Sequence, residues 1–143
     1  MSARVPAVRF LYAGAATLLA VTVALVAVGL APRWTDDSVS LTGGSATEVV
    51  TLTVTGPRAG AVTAAIRVTP RRKTEGVPPP AVTLQAVLPT AGHTTPTVYA
   101  RFLGSGRYSA SVHLMTPGRW VLRVGVDDGR RGDRLDFPLA VSG

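Results

Sequence analysis

Two patterns of apolar and polar positions divide the chain. Residues 10–31 read FLYAGAATLLAVTVALVAVGLA and contain no charged residue. From about residue 48 onward, apolar residues instead alternate with polar ones, with the period of two that a half-buried β-strand requires. The first pattern predicts a membrane-spanning helix and the second predicts an all-β domain.

The apolar stretch is long enough to cross a membrane as one helix. Its 22 residues would rise about 33 Å, against a hydrocarbon core of about 30 Å. Tyr12 and Trp34 lie near its two ends, as aromatic belts do. A signal peptide cleaved after Gly29 is the alternative, although the apolar core of such a peptide usually spans only about 7–15 residues. We therefore predict an uncleaved signal anchor over residues 10–31.

The charges that flank this stretch predict its orientation. Arg4 and Arg9 precede it, whereas Asp36 and Asp37 follow it. Because positive charge favours the cytoplasmic side, residues 1–9 are predicted to be cytoplasmic. We expect a single-pass cell-membrane protein whose C-terminal domain is extracytoplasmic, with the lipid bilayer as its first partner.

The C-terminal part has the pattern of an antiparallel β-sandwich. Residues 32–47 are largely polar and rich in Ser, Thr and Gly, and we interpret them as a flexible linker. Seven alternating segments with turn residues between them then predict an immunoglobulin-like sandwich of about seven strands over residues 48–143. The alternating apolar positions are Val50, Leu52, Val54; Val62, Ala64, Ile66, Val68; Val82, Leu84, Ala86, Leu88; Val98, Ala100, Phe102; Tyr108, Ala110, Val112, Leu114; Trp120, Leu122, Val124, Val126; and Leu135, Phe137, Leu139, Val141.

Trp120 is expected to be a core residue of this domain. It starts an alternating segment directly after the Pro117–Gly118 turn. We expect it to lie beneath that turn and to pack with Tyr108 and Phe137 or with their neighbours.

Composition narrows the classes of function. The chain has no cysteine, which excludes disulfides, thiolate metal sites and thiol chemistry. Its net charge of +7 comes mainly from scattered arginines. The one dense basic run, RRKTEG at residues 71–76, has the composition of a solvated loop, so nucleic acid is not a predicted partner. No Ser-His-Asp or paired-carboxylate arrangement stands out in the sequence. We therefore expect that the protein is not an enzyme.

The candidate metal ligands are three soft side chains: His93, His113 and Met115. His113 and Met115 share one face of a predicted strand, with Cα atoms about 6.6 Å apart. Imidazole and thioether ligands favour Cu(I) over hard cations. Spacing alone favours two solvent-facing strand residues for His113 and Met115, and His93 has the alternative interpretation of a polar loop residue.

Residues 87–126, VLPTAGHTTPTVYARFLGSGRYSASVHLMTPGRWVLRVGV, resemble the core of the YtkA-like domains. These domains are related to the FixH proteins and more distantly to the CopC-type copper-resistance fold. The segment is similar to the family pattern of a loop histidine, then G-x-G-x-Y-x-A, then M-x-G-x-W, here with one more residue in the turn. The matching residues are His93; Gly104, Gly106, Tyr108, Ala110; and Met115, Gly118, Trp120.

The resemblance implies copper handling outside the cytoplasm or assembly of a membrane complex. A copper site would comprise His93 and Met115, with His113 as an additional ligand, and the partner would be a copper transporter, a copper chaperone or an oxidase subunit. Leu88 and Ala91 stand where the family often has methionine. The chain also lacks the N-terminal histidine of the CopC-type Cu(II) site, so that kind of site is not implied. A non-metal interaction module that supports assembly of a membrane complex is the alternative.

Overall fold

The structure, a computed structural model, describes residues 37–73 and 75–143. The predicted cytoplasmic segment over residues 1–9 and the predicted membrane helix over residues 10–31 lie outside the described residues. In the described part, no helix has the length and apolar character that crossing a membrane would need.

The described residues form ten strands and no helix, and the strands pair antiparallel in two sheets. Sheet 1 has the order β1–β2–β3–β8–β7, and sheet 2 has the order β10–β9–β4–β5, with β6 also paired to β4. The all-β, antiparallel prediction is therefore confirmed. The strands are β1 (Ser38–Gly44), β2 (Glu48–Thr55), β3 (Gly60–Pro70), β4 (Ala81–Leu88), β5 (His93–Thr94), β6 (Val98–Tyr99), β7 (Arg101–Gly104), β8 (Arg107–Leu114), β9 (Gly118–Asp127) and β10 (Gly132–Val141).

One hydrophobic cluster lies between the inner faces of the two sheets. Every buried residue of the described part belongs to the alternating set that the sequence predicts, and none of the buried residues is polar or charged. The alternation reports burial so well because successive side chains of a strand point to opposite faces. Four members of the set are not fully buried: Val98, Ala100 and Leu135 are partly buried, and Phe102 is 45% exposed.

Strand β1 corrects the predicted linker. Residues 38–44 were expected to be flexible, yet they pair with β2 from Ser38, opposite Thr55, to Gly44, opposite Val49. Val39 and Leu41 pack against the core from this edge. The Ser, Thr and Gly residues between them hide this short alternation, and the backbone hydrogen bonds to β2 supply the order that composition does not predict.

The segment from Val98 to Phe102 forms parts of two strands, not the one strand that the sequence predicts. It was expected to be one strand, but it divides between the sheets as β6 and β7. Val98 pairs with Leu84 in sheet 2, and Phe102 pairs with Tyr108 in sheet 1. The chain therefore crosses between the sheets near Ala100, and the alternation cannot reveal which strand each residue will pair with.

The strands define two ends of the two-sheet domain. At the first, which we call the His93 end, lie the turns at residues 89–92 and 115–117 and the loop at residues 56–59. At the second, the Pro80 end, lie residues 75–80, 104–106 and 128–131. All strand registers are consistent with this division.

Trp120 is buried as predicted, with 1% of its surface exposed. Tyr108 itself is not beside Trp120, because Tyr108 lies at the Pro80 end, where its hydroxyl donates to the Pro80 carbonyl oxygen. Trp120 lies at the His93 end, opposite Leu139 of β10. Tyr108 lies near the start of β8 and Trp120 near the start of β9, and the two are separated because these strands run in opposite directions.

Candidate functional site

A tight hairpin between β4 and β5 fixes the backbone position of His93. His93 begins β5 and pairs with Leu88, the last residue of β4. Gly92 closes the connecting turn with a φ of 66°, a left-handed conformation that favours glycine. On the far side, Thr95 accepts a hydrogen bond on its Oγ1 from the Ala86 N–H at 2.9 Å. The backbone on both sides of the His93 imidazole is therefore anchored to sheet 2.

The side chain of His93 lies on the interior-facing side of sheet 2. Directly opposite residues of an antiparallel pair share one face of the sheet, and the partner Leu88 is buried in the core. His93 is nonetheless exposed, because β5 is a two-residue strand at the edge of sheet 2. The imidazole is thus available to solvent at the edge of sheet 2.

Met115 lies in the turn between β8 and β9. Its side chain is 58% exposed, whereas the preceding Leu114 is fully buried. The indole Nε1 of Trp120 donates to the Thr116 carbonyl oxygen at 2.9 Å, which fixes the turn over the core. The thioether of Met115 is therefore presented to solvent by a backbone that a buried tryptophan holds in place.

The structure brings the hairpin of His93 and the turn of Met115 to the same end. A methyl group placed on Gly118 would lie 3.3 Å from Cδ1 of Leu88, so the two turns are adjacent. Leu88 is the strand partner of His93, and Gly118 is three residues after Met115. Both candidate ligands thus project from neighbouring turns that a common core supports.

His113 belongs to a different surface. It is exposed on the outer face of sheet 1, where it lies opposite Ala61 of β3. Its side chain therefore points away from the interior, whereas His93 lies on the interior-facing side of sheet 2. Met115 follows His113 closely in the chain, so His113 could join Met115 more readily than it could join His93.

His93, His113 and Met115 lie outside any larger cluster of potential metal ligands in the described part of the chain. Within residues 37–73 and 75–143, no group of three or more His, Asp or Glu side chains could hold a metal ion. Neither His93 nor His113 makes a side-chain hydrogen bond to another described residue. With one imidazole and one thioether at the His93 end, the arrangement suits a low-coordinate Cu(I) ion.

Comparisons of this chain with protein-family models, with curated proteins and with solved structures found no match. The similarity of residues 87–126 to YtkA-like domains therefore stays a prediction from sequence.

A second candidate site, at the Pro80 end, was missed by the sequence analysis. A cleft of about 360 Å³ lies among the β3–β4 connection, the β7–β8 turn and the start of β10. Its lining includes the apolar residues Pro80, Phe102 and Tyr108 and the acidic residues Glu48 and Asp133. These residues are far apart in the chain. The VPPP and GSG sequences predict only loops. The pairing of the strands is what brings the lining residues together in one cleft.

Proposed function

We propose that this chain is a membrane-anchored extracytoplasmic accessory protein whose immunoglobulin-like β-sandwich binds Cu(I) through His93 and Met115. The anchor rests on the apolar length and flanking charge of residues 10–31. The sandwich rests on two antiparallel sheets with one shared core. The copper site rests on a single observation, the adjacency of the His93 hairpin and the Met115 turn.

The two ligands would differ in flexibility: His93 projects from a restrained backbone, whereas the Met115 side chain can change its conformation. The hairpin restrains the backbone of His93, so its imidazole is a prepared ligand. The unbranched thioether of Met115 has three rotatable bonds and can adjust to the ion. Because both side chains are exposed, a partner protein could approach and exchange ligands with the bound ion. Such a site suits delivery or temporary storage of copper at the membrane surface.

An anaerobic Cu(I) competition titration of the full chain tests this function. We expect His93→Ala and Met115→Leu each to weaken Cu(I) binding by about tenfold or more, since each removes a direct ligand. Met115→Leu keeps an apolar side chain of similar volume, so a loss of affinity would report the sulfur.

His113→Ala is the matched control for the copper titration. It removes the other histidine of the chain from the outer face of sheet 1 and should weaken Cu(I) binding less than His93→Ala. The copper function would be refuted if the double variant His93→Ala, Met115→Leu bound Cu(I) as tightly as the unmodified chain.

A non-metal interaction module is the second candidate, and the exposed apolar residues of the sheet-crossing segment favour it. Tyr99 is 81% exposed, and Phe102 and Leu103 are 45% and 49% exposed. Phe102 and Leu103 belong to β7, which is an edge strand of sheet 1, and Tyr99 ends β6 just before it. Neighbouring genes for copper ATPases, copper chaperones or oxidase subunits would favour the copper function, and their absence would favour the interaction module.

A further inference from the structure

The cleft at the Pro80 end has the size and lining of a small-molecule site. Its volume of about 360 Å³ falls within the range of about 300–1,000 Å³ that is typical of ligand pockets. Buried residues form the apolar floor: Val68, Tyr108 and Val126. Val77 and Phe102, both partly exposed, form the rim. A ligand could therefore bury an apolar body while one end stays near solvent.

Hydrogen bonds to the backbone hold the walls of this cleft in place. The hydroxyl of Tyr108 donates to the Pro80 carbonyl oxygen at 2.8 Å and ties the proline-rich wall to the floor. The Val68 N–H donates to the Gly106 carbonyl oxygen at 2.8 Å and ties the β7–β8 turn to β3. The ring centroids of Phe102 and Tyr108 lie 5.1 Å apart, so the rim ring is supported from below. The cleft is preformed and a ligand need not organise it.

The charged side chains of the lining are predominantly acidic. Glu48, Asp128 and Asp133 line the cleft together with one basic residue, Arg131. Three carboxylates against one guanidinium leave a net charge of −2 among the lining residues, in a chain whose net charge is +7. The cleft is therefore an acidic site on a basic protein, and it favours positively charged ligands.

Two of the three carboxylates already have partners. Asp128 accepts hydrogen bonds on Oδ1 from the N–H groups of Arg130 and Arg131, at 2.8 and 2.7 Å. Asp133 accepts one on Oδ2 from the Thr47 hydroxyl at 2.9 Å. The backbone hydrogen bonds from Arg130 and Arg131 lower the pKa of Asp128. Hydrogen bonding to the side chains of Ser45 and Thr47 lowers the pKa of Asp133.

Glu48 is the carboxylate without such a partner. Its side chain makes no hydrogen bond or ion pair with another described residue. Partial burial raises its pKa, and the nearby negative charges of Asp133 and Asp128 raise it further. A bound cation would offset the repulsion between an ionised Glu48 and the negative charges of Asp133 and Asp128.

We propose that this cleft binds a small organic cation, an ammonium or guanidinium group carried on an apolar stem. The cationic group would lie between Glu48 and Asp133, and the stem would pack on Phe102 and the proline-rich wall. An aromatic face beside a cation adds attraction. An anion would be repelled by the net negative lining, and a neutral ligand would leave Glu48 uncompensated. The cation could be a free amine or the side chain of a lysine or arginine in a peptide.

Ligand-observed saturation-transfer NMR and calorimetry on the full chain in phosphatidylcholine nanodiscs test the proposal. The probes are n-butylguanidinium, the neutral isostere n-butylurea and the anion pentanoate. We expect saturable binding of n-butylguanidinium at millimolar concentrations, about tenfold weaker binding of the urea, and no binding of the anion. Equal binding of the guanidinium and the urea, or no saturable binding of the guanidinium, would overturn the proposal.

Variants and a second ligand complete the test. Glu48→Gln keeps the shape of the side chain and should weaken n-butylguanidinium about tenfold. Asp37→Asn removes the same charge at the His93 end and should leave the affinity for n-butylguanidinium unchanged. Equal affinities for the two variants would also contradict the assignment.

A second ligand distinguishes the two sources of the cation. Tighter binding of Nα-acetyl-arginine amide than of n-butylguanidinium would indicate a peptide side chain as the natural ligand, and weaker binding would indicate a free amine. The Cu(I) titration is independent of all these outcomes.

Discussion

Trp120 combines the largest fully buried side chain of the domain with a role in shaping the candidate metal site. Its exposed fraction is 1%, and its Nε1 donates to the Thr116 carbonyl oxygen at 2.9 Å. The apolar part of the ring contributes through burial, while the hydrogen bond satisfies an indole N–H that would otherwise be costly to bury. The same residue therefore stabilises the core and restrains the turn that carries Met115.

Replacement of Trp120 should show both effects. We expect Trp120→Ala to lower the free energy of unfolding by roughly 3–5 kcal/mol, because it leaves a cavity, and Trp120→Phe by about 1–3 kcal/mol, because it leaves the Thr116 carbonyl without its donor. Urea unfolding of the full chain, followed by far-UV circular dichroism, measures both. Arg119→Ala, at an exposed neighbour, is the control, and a Trp120→Ala midpoint equal to that of the control would contradict the packing described here.

At the scale of elements, the β7–β8 turn depends on a close approach between backbones. Gly106 has a φ of 70°, and a methyl group on it would clash with the Val68 carbonyl oxygen. The Gly106 carbonyl oxygen in turn accepts a hydrogen bond from the Val68 N–H at 2.8 Å. No side-chain rotation can relieve such a contact, because the atom in the way belongs to the backbone of β3.

Gly106→Ala should therefore be markedly destabilising. The left-handed conformation alone costs roughly 1–2 kcal/mol in an alanine, and the backbone clash should bring the total to about 2–4 kcal/mol. Gly104→Ala is the matched control in the same turn, since Gly104 has a φ of 93° but nothing within 4 Å of an added methyl group. Urea midpoints of the two variants check the difference, and equal midpoints would mean that the contact with Val68 is unimportant.

The elements also show where a sequence pattern is ambiguous. Alternation correctly predicts which residues of β2, β3, β4, β8 and β9 are buried. It misses β1, whose polar composition resembles a linker, and it merges β6 with β7. Both errors concern sheet edges, where one neighbour is absent and fewer apolar side chains are needed. Pairing at an edge depends on the partner strand more than on the strand itself.

At the scale of the whole molecule, the two candidate sites lie at opposite ends of the same strands. Strand β8 begins beside the cleft at Arg107 and ends beside the Met115 turn at Leu114. Its eight residues span roughly 23 Å. Sites that far apart and without shared partners are expected to be energetically independent.

Independence of the two sites is itself a prediction. Glu48→Gln should leave the Cu(I) affinity unchanged, and His93→Ala should leave n-butylguanidinium binding unchanged, each to within a factor of about two. The same competition titration and calorimetry provide the measurement. A loss at both ends from either substitution would indicate that the substitution disturbs the shared core, and circular dichroism of that variant would then reveal the altered fold.

Sequence by itself determined the class of this protein's described part and the identity of its core. The period of two decides which side chains are buried, because neighbouring residues of a strand point in opposite directions whatever the strand pairs with. It also supplied the candidate ligands His93, His113 and Met115 through their chemistry alone. These predictions depend only on residue type and local spacing.

Only the tertiary structure decided which of these residues are neighbours. It brings the His93 hairpin beside the Met115 turn, directs His113 to the outer face of sheet 1, and separates Trp120 from Tyr108. It also gathers Glu48, Phe102 and Asp133 around one cleft. The order and direction of the strands in the two sheets decide which residues become neighbours. That order depends on long-range backbone pairing, which a local pattern of apolar and polar residues does not encode.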